Sequence, residues 1–428
     1  MPGLAGRLLR LATLDLRPLR RRDFRLLFAG QLLSFMGSRF TEVAIPFQVF
    51  QLTHSTFALG LVGLVQLVPV LAFAFLGGAL ADARDRRTMM LLTDLAFALL
   101  SLLLLVNAVF PHPQLLAIYV IAALQAGLFA LQRPSLNAML PRLVPSEELT
   151  AAGALAQVQG GIGFVVGPAL AGGVIALAGL PAAYAVDAVS FGFSLLALAL
   201  MRAMPPALEA ARPSLRRVKE GLDYARSRPE LLGTYLVDMV AMFFAFPSAL
   251  FPAVAAVFGG PAVLGLLFSA PALGGLLASA TSGWTSRVSR HGLGVIVAAI
   301  CWGLAITAFG FAPSLPVALV CLALAGAADS VSGIFRQVIW NQTIPDHLRG
   351  RLASIELVSY SSGPLLGDFE AGVVASLFNL RVSIVSGGIL CVAGCALCAL
   401  LLPGFRAYDA RVWEARSRGS DAGLDKEG

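Results

Sequence analysis

Lysine is almost missing from this chain: of 428 residues, only Lys219 and Lys426 carry it. A phosphate-cradling loop needs a glycine directly before its lysine, and these two follow Val218 and Asp425, so ATP is not expected to drive whatever the protein does. Histidine is as sparse. His54, His112, His291 and His347 stand far apart, without the HExxH spacing of a zinc hydrolase, and no metal or organic cofactor is expected. The five cysteines, Cys301, Cys321, Cys391, Cys395 and Cys398, fall inside apolar runs, where packing rather than disulfide formation is their expected role. Charge is scarce as well. Asp, Glu, Lys and Arg make up 13% of the chain and hydrophobic residues 58%, against roughly 25% and 45–50% in soluble domains, which excludes an ordinary soluble fold.

In place of charge there are long apolar runs. A membrane-spanning helix takes about 20 apolar residues, and runs of that kind lie near 26–50, 58–80, 89–110, 115–134, 150–178, 182–202, 232–256, 262–284, 293–312, 315–338, 352–378 and 383–403. They are continuous rather than alternating, which argues against a closed barrel. The expected fold class is an all-α membrane protein of twelve transmembrane helices.

The cations are distributed unevenly. Seven arginines precede the first run (Arg7, Arg10, Arg17, Arg20, Arg21, Arg22 and Arg25), and nearly all the others fall in every second loop or the tail. The intervening loops at 51–57, 111–114, 179–181, 257–261 and 313–314 have none, and 379–382 has only Arg381. By the positive-inside rule both termini are cytoplasmic, in a multi-pass protein of the inner (cytoplasmic) membrane. A net charge of +7 and a pI near 9.5 follow from this bias. The cations line a membrane edge, so the partner they imply is the lipid bilayer, with no nucleic acid. A monomer is expected.

The chain repeats itself, and the repeat sets its organisation. A shift of 205 residues superposes Leu59-Gly60-Leu61 on Leu264-Gly265-Leu266, Gly78 on Gly283 and Asp82 on Arg287; Gly167-Pro168 has a counterpart in Gly363-Pro364. Two pseudo-symmetric six-helix bundles, 26–203 and 232–404, are therefore expected around a midplane site. A basic arm (1–25) precedes them and a charged tail (405–428) follows. Between them lies a polar linker (204–231), where Leu215, Val218, Leu222 and Ala225 recur at the spacing of a surface amphipathic helix.

Three sets of residues stand out. The stretch GGALADARDRR from Gly77 to Arg87 reads as a tight turn between two membrane helices, with Asp82, Arg86 and Arg87 held at the water boundary; it can act as a latch between conformations. The run at 150–178 carries Gly160, Gly161, Gly163, Gly167, Pro168, Gly172 and Gly173, a thin face against which another helix can pack or slide. Charged groups inside apolar runs form the third set. Arg39 and Glu42 are three residues apart on one helical face, and Asp238, Asp329, Asp368 and Glu370 lie in the second half. These carboxyl groups and Arg39 are the candidates for proton or substrate binding. Asp187, alone in its run, is expected to be a hydrogen-bonded packing residue.

Over residues 16–410 the chain resembles the major facilitator superfamily. The signature after the second helix of that family is matched by Gly78, Asp82, Arg86 and Arg87 and echoed at Gly283 and Arg287, while Asp85 and Ala83 stand where the family usually has glycine and arginine. These departures, the RDFRLLFAGQLLSFMGS start, Glu220-Gly221-Leu222, Pro345-Asp346 and Arg349-Gly350-Arg351 are similar to the drug:proton antiporter branch that includes macrolide and catecholate-siderophore exporters. Gly163, Gly167, Pro168 and Gly172 resemble the antiporter motif associated with export; the intramembrane arginine of many drug exporters has no counterpart near Gln125 and Gly127. The resemblance implies a proton-driven exporter of a bulky small molecule, with Asp82 approaching the cytoplasmic end of the eleventh helix. Two other readings compete. A nutrient importer shares the architecture but is expected to lack the glycine-proline series, and a membrane enzyme such as an acyltransferase needs a catalytic cluster that the histidines and cysteines do not form.

Overall fold

The computed structural model describes residues 15–83, 85–204, 220 and 223–411, with the side chains of 74–83, 346–347, 349–351, 353–355 and 357–358 outside the description. Among the described residues there is no strand. The helices are α1 (Arg22–Thr53), α2 (Thr56–Ala83), α3 (Arg86–Val109), α4 (Leu115–Leu143), α5 (Leu149–Leu200), α6 (Pro229–Phe244), α7 (Phe251–Phe258), α8 (Pro261–Ala280), α9 (His291–Gly310), α10 (Leu315–Thr343), α11 (Asp346–Leu377) and α12 (Leu380–Leu401). Nine helical segments among the described residues are long and apolar enough to cross a membrane, and α1 and α11, each of 32 residues, pack alongside them.

The apolar runs become helices because a chain in hydrocarbon must satisfy its backbone polar groups internally. Several helices run past the apolar window, since polar residues beyond the hydrocarbon can continue a helix. α4 was expected to end near 134 and reaches Leu143, and α11 was expected from 352 and starts at Asp346. The turn read from Gly77 to Arg87 shrinks for the same reason: α2 stays helical through Ala83 and α3 starts at Arg86. The side chains of Gly78 and Asp82 lie outside the described residues, as does most of the linker; of it, Glu220 and 223–227 are helical.

The two runs expected at 150–178 and 182–202 are the arms of α5, which bends at Gly179, where φ is +83°. That left-handed value suits glycine. The first arm packs parallel to α1, with Gly163 against Phe35 and Gly167 against Arg39, and the second packs antiparallel to it, with Ser190 against Gly37 and Ala197 against Gly30. The arms therefore form a hairpin. One expectation fails in the second half. The run at 232–256 is not one helix: α6 stops at Phe244, and Ser248–Leu250 form a 3-10 turn before α7. Pro247 supplies no N–H, and the loose ends are tied elsewhere, with Trp302 Nε1 donating to Ala245 O at 2.9 Å and Asp368 accepting from the turn.

Helices of the first half pack mainly on one another, as do those of the second, and two seams join them. In one, α2 runs antiparallel to α11, with Gly60 against Gly372 and Gly63 against Leu365 and Asp368. In the other, the first arm of α5 runs antiparallel to α8, with Gly172 against Gly265. The closest approaches in both seams lie toward the end of the molecule far from Arg22. Within a bilayer, association depends on close van der Waals packing, so glycine at the crossing points is what lets these backbones approach.

Candidate functional site

Between the seams and the opposite end of the molecule the second half holds an open-sided cavity of about 380 Å³. Asp329, Gly333, Arg336, Gln337 and Trp340 line it from α10 at positions i, i+4, i+7, i+8 and i+11, one continuous helix face. Tyr235, Asp238 and Met242 face them from α6, and Glu356, Ser359, Tyr360 and Pro364 close the cavity from α11.

Arg336 organises its chemistry. Its guanidinium is ion-paired to Asp238 and lies 3.4 Å from Asp329, with Glu356 lining the same cavity. Arg336 and Asp238 are nearly buried, at 13% and 11% side-chain exposure, whereas Asp329 is 44% exposed. Three carboxyl groups thus face one guanidinium, an excess of acid suited to binding protons or a cationic group. A wall of the cavity is aromatic: Tyr235 stacks on Trp340 with ring centres 5.7 Å apart, and Trp340 Nε1 donates to Thr234 Oγ1 at 2.9 Å, which fixes the indole. Apolar walls with a few convergent polar groups are the usual make-up of a small-molecule site.

The first half holds a second charged pair. Arg39 and Glu42 are ion-paired at i, i+3 on α1, and the Arg39 guanidinium sits 4.6 Å and 4.8 Å from the ring centres of Phe35 and Phe164. Gly167 makes room for this arrangement. A Cβ there would lie 2.6 Å from Arg39 Cγ, and one at Gly163 would strike the Phe35 ring. Gly172 has a different neighbour: its missing Cβ would lie 2.5 Å from Pro261 O and 2.8 Å from the Gly265 backbone, across the seam. Pro168 is buried between them within α5. One glycine series therefore seats α1 with its cation and brings the two halves together.

The remaining candidates are dispersed. Asp368 belongs to the α2/α11 seam, where its carboxylate accepts from Ser248 Oγ at 2.7 Å and from Ala249 N at 2.8 Å. Glu370 is half-buried on α11 and lines neither cavity nor ion pair among the described residues. Arg86 and Arg87 serve helix ends of their own half: Arg86 donates to Ala138 O at 3.1 Å, and Arg87 to Leu198 O and Ala199 O at 2.7 Å each. Leu198 and Ala199 stand in the last turn of α5, where carbonyls run short of intrahelical donors. Gly283 and Arg287 lie exposed in a 3-10 turn after α8.

Two further carboxyl groups lie buried in the first half, Asp187 in the hydrogen-bonded packing role expected for it. Asp94 is fully buried, accepting from Gln132 Nε2 and Ser194 Oγ at 2.5 Å each. Asp187 is buried with Oδ2 shared by Thr41 Oγ1 at 2.5 Å and Ser101 Oγ at 2.6 Å. Glu356 joins them as a cavity residue on α11. Each is a carboxyl group inside an apolar run, the same signal that marks Asp238.

Residues 13–419 match the sequence model of a family described as transmembrane secretion effector. An enterobactin exporter, EntS, of Citrobacter koseri is 28% identical over 380 residues, covering 88% of this chain and 91% of that one. The protein of the same name from Escherichia coli O157:H7 is 28% identical over 381 residues, with 89% and 92% covered. Among solved structures, a POT family transporter in complex with 5-aminolevulinic acid superposes with a TM-score of 0.73 at 12% identity, covering 90% of this chain and 97% of that one. A bacterial homologue of the iron transporter ferroportin, in an inward-facing state, gives 0.65 at 19% identity, with 90% and 99% covered.

Proposed function

The chain belongs to the transmembrane secretion effector family of the major facilitator superfamily, and from this we propose that it exports a siderophore, drug or similar bulky natural product in exchange for protons. It is a multi-pass membrane transporter and not an enzyme. In this reading it lies in the cytoplasmic membrane as a monomer, with twelve spanning helices in bundles of six (26–203 and 232–404) and both termini in the cytoplasm.

The observation that carries the proposal is the placement of the Arg336 cavity: it lies on the side of the glycine seams where α1 begins, so a bundle joined at one end holds its polar site toward the other. With cytoplasmic termini this is a site loaded from the cytoplasm. Asp238, Asp329 and Glu356 take up protons or cargo alternately as the two halves rock about the seams, a two-state exchange in which each ligand shifts the equilibrium. Arg39 and Glu42 add a second charged pair, on α1. Asp82 and Arg287 act at the cytoplasmic edge as gating residues.

Everted membrane vesicles with an imposed inward-acid pH difference test this directly. Accumulation of a catecholate siderophore or a macrolide, abolished by a protonophore and by Asp238→Asn, is the expected result. Accumulation that ignores the pH difference would remove proton coupling, and net movement of cargo only out of everted vesicles would point to an importer.

A further inference from the structure

A second concavity lies on the outer surface of the first half, between α1 and the 180–200 arm of α5. It measures about 180 Å³ and is lined by Leu26, Ala29 and Leu33 on one side and Phe193, Leu196 and Leu200 on the other. All its walls are hydrocarbon. The floor is set by Gly30, whose missing Cβ would lie 2.9 Å from Ala197 Cβ, so the helices close beneath the groove while its rims stay open. Leu33, Phe193, Leu196 and Leu200 are 44–58% exposed. From Leu26 to Leu33 the groove runs about 10 Å along the helix axis.

The groove ends in cations. Arg22 stands one turn before Leu26 on the same face of α1, and its Nη2 donates to Leu200 O at 3.0 Å, so the guanidinium lies across the mouth between the two helices. That bond uses one of five donors, and Arg22 is exposed. Arg25 is exposed one turn before Ala29, and Arg87 holds the neighbouring carbonyls of α5. The first turn of α1 has no side-chain cap, which adds backbone N–H groups and the positive end of the helix dipole. The nearby acids are engaged or turned inward. Glu148 pairs with Arg21 at 3.3 Å, Asp85 accepts from Met204 N at 2.7 Å, and Asp23 is half-buried.

The geometry points to a binding site for an anionic phospholipid, with one acyl chain in the groove and its phosphate at Arg22 and Arg25. An apolar trough capped by guanidinium groups matches a lipid that has both a hydrocarbon tail and a net negative head group. A zwitterionic lipid brings its own cation to the same mouth and fits less well. This inference goes beyond transport of cargo and does not depend on it.

Native mass spectrometry of protein released from nanodiscs of equal phosphatidylglycerol and phosphatidylethanolamine content reads the site without any transport assay. Wild-type protein should retain phosphatidylglycerol at least about tenfold over phosphatidylethanolamine, as expected where two charge-assisted contacts are made. Arg22→Gln with Arg25→Gln should abolish that preference, and Arg290→Gln, at an exposed cation of the second half, should keep it. Ala29→Phe leaves the arginines in place and fills the groove, and should also lose the lipid. Equal retention of both lipids by the wild type overturns the proposal. So does preference surviving in the double variant, and preference surviving in Ala29→Phe shows head-group attraction without the groove and overturns it equally.

Discussion

Asp368 of α11 accepts the backbone N–H of Ala249 at 2.8 Å, closing the open end of the helical segment that restarts after the break between α6 and α7. The same residue packs its Cβ where a side chain on Gly63 of α2 would stand, 3.0 Å away, so the hinge in one half and the seam between halves meet at one carboxylate. Side-chain caps of this kind contribute about 0.5–2 kcal/mol, and asparagine serves nearly as well as aspartate. Asp368→Ala should therefore lower the melting temperature in detergent clearly, and Asp368→Asn only slightly. Equal melting of the two variants would show that the cap is not what Asp368 contributes.

Much of this architecture is legible in the sequence because hydrocarbon allows so few solutions. Apolar runs of spanning length become helices whatever they pack against, and the i, i+3 spacing of Arg39 and Glu42 already places them on one face. The break at Ala245–Pro247 is marked in the sequence by Pro247 alone. The run at 232–256 stays apolar through it, and what makes the break tolerable, Trp302 and Asp368, lies on other helices far along the chain. The site divides the same way. Asp238 and Asp329 stand out as charges in apolar surroundings, but their common partner Arg336 reads only as the end of a helix until α10 is seen to continue to Thr343. Asp94 stands out in the same way, but its partners, Gln132 and Ser194, are neutral and come from two other helices, so no local spacing reveals its role.

Arg336 and Asp238 make the next prediction. Removing one member of a buried ion pair strands the other and costs about 3–5 kcal/mol, while neutralising both can be nearly free. Arg336→Gln should destabilise the protein strongly, with Arg336→Gln/Asp238→Asn recovering most of the loss in a thermal melt. Export should stay abolished in the double variant, since the charges that bind proton and cargo are gone. Recovery of export together with stability would reduce the pair to a structural role.

The glycine series separates into positions that face backbone and positions that face space. At Gly172 a methyl group meets Pro261 O and the Gly265 backbone, which cannot rotate away, whereas nothing lies within 4 Å of one at Gly173. Overpacking a tight contact costs about 1–3 kcal/mol. Gly172→Ala should slow export several-fold and lower the yield of a disulfide cross-link engineered across α5 and α8; Gly173→Ala should do neither. If the two behave alike, the seam is not held by close backbone approach.

Asp187 distinguishes packing from coupling. Its Oδ2 takes hydrogen bonds from Thr41 of α1 and Ser101 of α3, so one carboxyl oxygen ties three helix segments of the first half together, and no ion pair to it occurs among the described residues. An amide carbonyl can accept the same two hydroxyl protons, whereas alanine leaves both hydroxyls buried without an acceptor, at about 1–3 kcal/mol for a stranded buried group. Asp187→Asn is accordingly expected to melt close to wild type and to keep proton-driven export within about twofold, below the tenfold change that 1.4 kcal/mol corresponds to. Asp187→Ala should melt several degrees lower. The comparison with Asp238→Asn is the decisive one: both substitutions remove one carboxylate from the membrane interior, but only Asp238 lines the cavity. If Asp187→Asn stops export while the fold survives, the proton passes through the first half, and the Arg336 cavity holds cargo alone.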